Sequence, residues 1–309
     1  MQSNLSRPRK KWSFSKEQGA FHLMLLPSVV MVFIFGYIPL YGLTIAFKKF
    51  NPARGLFGAN PWCGLDNFSY ILSLPNMDRV FMNTVEIAVM KIITGTLAAI
   101  VTALLLNECR RPVLKRTVQT IIYFPYFVSW IILGGIMLDI LSPSSGIVNI
   151  VIKAMGGQPV YFLGDNSVFK GTLVVSEIWK NFGYNSIVYL AAITSIDPTL
   201  YEAATIDGAN RWQQTWHVTL PGMATIIILM TILSLGNVLN AGFDQIYNLY
   251  SVQVYESGDV IDTLVYRMGL NQAKFGPSTA VGLFKSVISM VLISFAYYVA
   301  WKKFDYRIF

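Results

Sequence analysis

Six long apolar stretches constrain this chain more than any other feature. They cover residues 20–46, 82–107, 117–140, 171–194, 222–244 and 277–301. Each approaches or exceeds the ~20 residues a helix needs to cross the hydrocarbon core. Lipid offers no partner for backbone N–H and C=O groups, so segments of this length must pair them internally, as helices do. An all-α membrane protein with six transmembrane helices is therefore expected. Composition agrees: 54% of the 309 residues are hydrophobic and 13% are charged, against about 25% charged in a soluble domain.

The net charge of +8 follows membrane topology and not a nucleic-acid surface. With both termini placed inside, thirteen Lys and Arg fall on the cytoplasmic side: Arg7, Arg9, Lys10, Lys11, Lys16, Arg110, Arg111, Lys115, Arg116, Arg211, Lys302, Lys303 and Arg307. Eight fall outside, on longer segments: Lys48, Lys49, Arg54, Arg79, Lys153, Lys170, Arg267 and Lys274. This is the positive-inside bias of a multi-pass protein of the cell membrane. Lys91, Lys180 and Lys285 remain within spans. Residues 1–19 read as a basic cytoplasmic tail and 20–309 as one transmembrane domain. The first span follows a basic segment, as a signal peptide would. It is too long for a signal core and no small-x-small site follows, so a retained anchor is expected. Cys63 falls outside and Cys109 inside, so they cannot pair within one chain. With only His22 and His217 as histidines, no metal or redox site is indicated.

External loops are expected at 48–81, 141–170 and 245–276. The second holds an amphipathic run ending near Met155, and the third a short helix within Val260 to Leu270.

The connection between the fourth and fifth spans is the most specific segment. Asp197-Pro198 suits a helix N-cap followed by proline at the first helical position. A short helix over Thr199 to Asp207 carries Glu202, Ala203 and Ala204, and Gly208 permits a sharp change of direction. Ala209 follows, then one or two further turns over Arg211 to His217, closed by Leu220-Pro221. Small alanines let a partner approach closely, and Glu202 is a charged handle. The whole reads as a helix–turn–helix elbow set stiffly between two membrane helices.

Glu202-Ala203-Ala204, Asp207-Gly208-Ala209 and Leu220-Pro221 at this spacing resemble the EAA loop of ABC-importer permeases. In that family the loop is a cytoplasmic coupling helix that docks into the ATPase. From about residue 20 onward the chain resembles carbohydrate-importer permeases of the maltose-permease class. It is most similar to the polysaccharide-type branch, known from lipoprotein-associated and alginate- or rhamnogalacturonan-type oligosaccharide transporters. Leu25-Leu26-Pro27, the run Pro61 to Phe68, Asn107 to Arg111, Tyr189 to Ile193, Asp262 to Arg267 and Gly282 to Ser286 carry that likeness. The resemblance implies a second homologous permease, two ATP-binding cassette subunits and an extracytoplasmic solute-binding lipoprotein. It also implies import of an oligosaccharide. Nothing in the chain resembles a G-x-x-x-x-G-K phosphate loop followed by Ser or Thr. ATP and its Mg are therefore expected on the partner ATPase, with no cofactor on this chain and no enzymatic activity of its own.

Polar side chains inside spans are costly and mark a water-filled path or glue between helices. Glu177, Asn181 and Tyr184 are spaced to share one face of the fourth span. Ser234, Asn237, Asn240 and Asp244 are spaced to share one face of the fifth. Tyr184 and Trp179 could stack on sugar rings. A buried cation costs at least ~2.5 kcal/mol on insertion scales. Lys180, with Lys91 or Lys285, is therefore expected to accept an acidic oligosaccharide, to pair internally, with Glu177 one turn before Lys180, or to contact a second permease.

Three other readings compete. A gradient-driven secondary carrier could use Glu86, Glu177 and Asp244 but leaves the elbow unexplained. A membrane enzyme lacks a paired-carboxylate or nucleophile–base arrangement. An ABC permease for an amino acid or phosphate shares the elbow but not the branch-specific stretches.

Overall fold

The computed structural model describes residues 16–304 except residue 237. The basic tail expected at 1–19 lies almost wholly outside the described residues, as does Asn237. Helix α1 (Lys16–Val32) runs on through a π-type turn (Phe33–Tyr37) and a tight 3-10 segment (Ile38–Phe47). Then follow α2 (Asp66–Leu72), α3 (Met77–Glu108), α4 (Pro112–Tyr123), α5 (Trp130–Ile140), α6 (Ile147–Ala154) and α7 (Asn166–Thr194). After these come α8 (Pro198–Ile206), α9 (Arg211–Gln214), α10 (Leu220–Gly236), α11 (Phe243–Leu249), α12 (Tyr255–Gly258), α13 (Ile261–Tyr266) and α14 (Phe275–Phe304).

Among the described residues four segments are long and apolar enough to cross a membrane: Gly19–Phe47, Met77–Glu108, Arg211–Gly236 and Phe275–Val299. A fifth is a bent pair, Pro112–Phe127 and Trp130–Ile140, whose halves meet at 102°. The protein is thus an all-helical membrane protein with four to five candidate spans. At 29 residues, α7 is about 43 Å long, enough to cross, though more polar than the other long helices.

Two expected spans are corrected. The stretch 117–140 is not one helix. Pro125 has no N–H to donate, and a short 3-10 turn (Phe124–Phe127) ends at the extended residue Val128. Ser129 then starts α5 afresh, its side chain accepting from the Ile132 N–H. The stretch 222–244 also ends early, because α10 stops at Gly236. Helix resumes only at Phe243, after Gly242 with a φ of 93°, a left-handed conformation that suits glycine. Of the expected stripe, Ser234, Asn240 and Asp244 therefore do not lie on one helix face. Ser234 is on α10, Asn240 in the break, and Asp244 in the first turn of α11.

Helix α3 packs along α7 more extensively than any other pair of described elements. Ala99, Ala103 and Ala192 are buried where they meet, with Tyr189, Ile193 and Met223, as small residues allow close approach of membrane helices. A second cluster gathers Phe169 and Leu173 of α7 with Ile87 of α3 and Ile246 and Leu249 of α11. A third joins α3 to α14 through Val80, Ala88, Ala280 and Val281, with Val238 and Leu239 of the break after α10.

The short helices α11, α12 and α13 collect at one end of this bundle. There Asn83 donates to the Glu256 and Asp259 carbonyls, and the Ile261 N–H donates to Thr84 Oγ1. Asp259 takes two hydrogen bonds from Arg267, which hold the guanidinium pKa above its usual value despite burial. The α8–α9 elbow lies at the other end of α3.

Candidate functional site: an elbow at one end and a polar cavity in the bundle

The elbow forms as its residues dictate. Asp197 accepts from the Thr199 N–H, and Pro198 opens α8. That hydrogen bond holds the Asp197 carboxyl below the ordinary Asp value. Gly208 turns the chain with a φ of 80° and open space around it. Asn210 and Gln213 then cap α9 reciprocally. The elbow passes into the fifth span at Leu220-Pro221 without a break in the helix. A π-type turn (Thr215–Thr219) leads directly into α10, with the Leu220 N–H reaching the Thr215 carbonyl. That wider turn absorbs a proline at the second residue of α10.

Residues with no sequence signal brace the elbow. Tyr201 meets Thr219 Oγ1 at 3.0 Å, and Gln214 donates to Thr205 Oγ1 and the Ala209 carbonyl. Arg211 pairs with Glu108 at the end of α3 at 2.9 Å. Glu202, Ala203, Asp207 and Gly208 are exposed, while Ala204 and Ala209 are half-buried. Ile206 is 86% exposed and Leu200 52%, so α8 presents an apolar outer face beside Glu202.

Within the bundle, a cavity of about 260 Å³ opens between α3, α7 and the end of α10. It gathers Glu177, Asn181, Ser234 and Asn240 of the expected path residues, with Lys91, Thr96 and Asn185. Asn181 donates to Glu177 Oε1 at 2.7 Å. Glu177 Oε2 accepts no hydrogen bond among the described residues and lies 3.9 Å from Lys91 Nζ. Asn185, one turn beyond Asn181, extends the same face, a spacing that could have identified it from sequence.

The other expected path residues lie elsewhere. Tyr184 stacks on Tyr126, ring centroids 3.7 Å apart and planes within 4°. Asp244 is exposed on α11. Lys180 is buried and donates to the carbonyls of Pro125, Tyr126 and Val128. Lys285 pairs with Asp262, and Lys91 donates to the Ala241 carbonyl and Gln245 Oε1. All three intramembrane lysines are thus engaged inside the chain.

A helical membrane bundle with broken spans, an internal polar cavity and a braced elbow at one end has the parts of a transport subunit. Residues 92–303 match the family of binding-protein-dependent transport system inner membrane components, and the chain belongs to that family. It is a multi-pass inner-membrane permease component of an ABC transporter, and not itself an ATPase. It is 40% identical to protein LplB of Bacillus subtilis (strain 168) over 96% of this chain and 90% of that one. It is 38% identical to the polygalacturonan/rhamnogalacturonan transport system permease protein YteP of the same organism, over 93% and 89%. Its fold is similar to a chain of the crystal structure of a bacterial ABC transporter involved in import of the acidic polysaccharide alginate. That match has a TM-score of 0.86 and 38% identity, and covers 93% of this chain and 97% of the other. A second structure holds such a transporter in complex with an alginate pentasaccharide-bound periplasmic protein, at a TM-score of 0.86 and 37% identity, covering 94% and 97%.

Proposed function

We propose that this chain forms half of the translocation path of an importer for oligosaccharides derived from polysaccharides. It crosses six times, through the α1 rod, α3, the broken α4–α5 pair, α7, the α9–α10 rod and α14. Both termini and the elbow are cytoplasmic in this reading. A second homologous permease supplies the other half, two ATP-binding cassette subunits bind ATP and Mg, and an extracytoplasmic binding lipoprotein delivers the sugar.

The single observation that carries the reading is the mechanical continuity of the elbow. Helix α8 sits between α7 and α10, the helices whose polar faces meet at the 260 Å³ cavity. Hydrogen bonds from Tyr201 and Gln214 fasten it to the start of the α10 rod. Glu202, Ala203, Ala204, Asp207, Gly208 and Ala209 are the ATPase-docking surface, and Leu220-Pro221 carry the push into α10. Closure of the ATPases then moves α7 and α10 together and reshapes the cavity between them. Glu177, Asn181, Ser234 and Asn240 offer hydrogen-bonding groups that match sugar hydroxyls.

The names of the relatives support a polysaccharide-derived substrate, and two of them concern acidic chains. The intramembrane lysines add no support for acidity, since each is engaged within the chain. Uptake into proteoliposomes by the full complex, compared across neutral and uronate-containing oligosaccharides, tests the assignment. Saturable, ATP-dependent uptake of one class supports it. Uptake of amino acids or phosphate but not sugars would refute it.

A further inference from the structure

Helices α3 and α7 are uninterrupted, and each sends a lysine to a break in a neighbouring span. At the α4–α5 break, the Tyr126 and Val128 carbonyls have no backbone donor among the described residues, and the Pro125 carbonyl accepts only the Val128 N–H of the 3-10 turn. Lys180 Nζ donates to them at 3.2, 2.7 and 2.5 Å. An ammonium has three donors, and here all three are spent. The rings of Tyr126 and Trp130 flank it, each 5.7 Å away. One turn further along α7, a Cβ on Gly183 would fall 2.2 Å from the Ile122 carbonyl oxygen, so only glycine lets α4 approach this closely. Tyr184 then stacks on Tyr126. Three successive contacts of α7 thus form a socket for the bend.

The break after α10 is held in the same way. Lys91 of α3 donates to the Ala241 carbonyl at 2.6 Å and to Gln245 Oε1. Gln245 in turn donates to the Leu173 carbonyl and Ser176 Oγ of α7. Irregular backbone at membrane depth persists only where it is buried in protein or lines a water-filled cavity. Glu177 is the nearby countercharge, 3.9 Å from Lys91 and one turn before Lys180 on α7.

We infer that Lys180 and Lys91 are positioning residues: each holds backbone at the break of a neighbouring span, Lys180 through three carbonyls and Lys91 through the Ala241 carbonyl and Gln245, and neither is a ligand for the transported sugar. Only the uptake arm of the test rests on the oligosaccharide reading above. In the full complex, Lys180→Met and Lys91→Met are expected to lower kcat for uptake about tenfold or more. The factor should be equal for neutral and uronate-containing sugars, with KM within about twofold. Lys180→Arg, which restores charge and donors, should recover most of the rate. A selective rise in KM for the acidic sugars alone would make these lysines substrate ligands and overturn the inference, as would unchanged uptake in the Met variants.

A second measurement needs neither transport nor assembly. With Cys63 and Cys109 replaced by Ser, the pair Tyr126→Cys and Tyr184→Cys is treated in membranes with a short bifunctional thiol reagent. Cross-linking should be rapid with Lys180, about tenfold slower or more with Lys180→Met, and restored by Lys180→Arg. Equal rates in all three would overturn the role of Lys180. If wild type transports no sugar while the cross-link still depends on Lys180, the substrate assignment fails and the positioning role stands.

Discussion

Gly183 is a residue whose importance lies in what is missing. Its absent Cβ leaves room for the Ile122 carbonyl, a backbone atom that cannot swing aside. Gly183→Ala is expected to destabilise the chain by about 1–3 kcal/mol, the usual range for overpacking, read as a lower Tm of the purified complex. An unchanged Tm would mean that α4 and α7 pack less closely than described. Asp197 makes a prediction about pH. Its folded pKa is depressed below the ordinary Asp value by the hydrogen bond from the Thr199 N–H. The cap's contribution is therefore fully present above that value and lost only as pH falls through the depressed one. Coupling should not change between pH 5 and 8 because of Asp197. Asp197→Asn, which caps as well, should behave as wild type, while Asp197→Ala should loosen α8. Amide hydrogen exchange at Thr199 and Leu200 checks both. Asp197, Pro198 and Gly208 were readable in the sequence because cap and turn chemistry is local. The socket on α7 was not. Lys180 is 52–55 residues from the carbonyls it holds, and those of Tyr126 and Val128 are open to it only because the partner span is broken.

The elements differ in legibility for a related reason. Hydropathy measures length and apolarity but is blind to direction, so 117–140 and 222–244 each resemble one straight span. Pro125 was one local sign of the first break. The Gly236 to Gly242 segment was the corresponding sign of the second. The elbow was the opposite case, since its spacing alone singled it out. Its residual surprise is continuity: the π-type turn at Thr215–Thr219 lets helix run through Pro221. Gly208 separates two effects at this element. Nothing within the chain lies within 4 Å of a Cβ there, so a large side chain meets no intramolecular obstacle. The left-handed φ costs any L-residue strain of order 1–3 kcal/mol. Gly208→Ala should therefore cost only that strain, with substantial ATPase coupling retained. Gly208→Trp should abolish coupling through a clash with the docked ATPase. Equal activity in the two variants, measured as sugar-stimulated ATP hydrolysis, would mean that the elbow does not face a partner.

At the scale of the whole molecule, much of the apolar surface is turned outward. In the Gly19–Phe47 segment none of the most apolar window is buried within the chain. Phe21, Leu23, Met24 and Phe35 are each more than 60% exposed. Such a surface fits lipid and a second permease, and it explains why polar groups concentrate on α3, α7 and the end of α10. The central claim is that motion at the elbow is coupled to sugar passing between these helices. The most direct measurement is ATP hydrolysis by the complete reconstituted complex, with binding protein and a panel of oligosaccharides, in wild type and Gly208→Trp. The account predicts stimulation by one class of oligosaccharide in wild type, and loss of that stimulation in the variant. Uptake that persists without ATP hydrolysis, or sugar stimulation undiminished in Gly208→Trp, would contradict it.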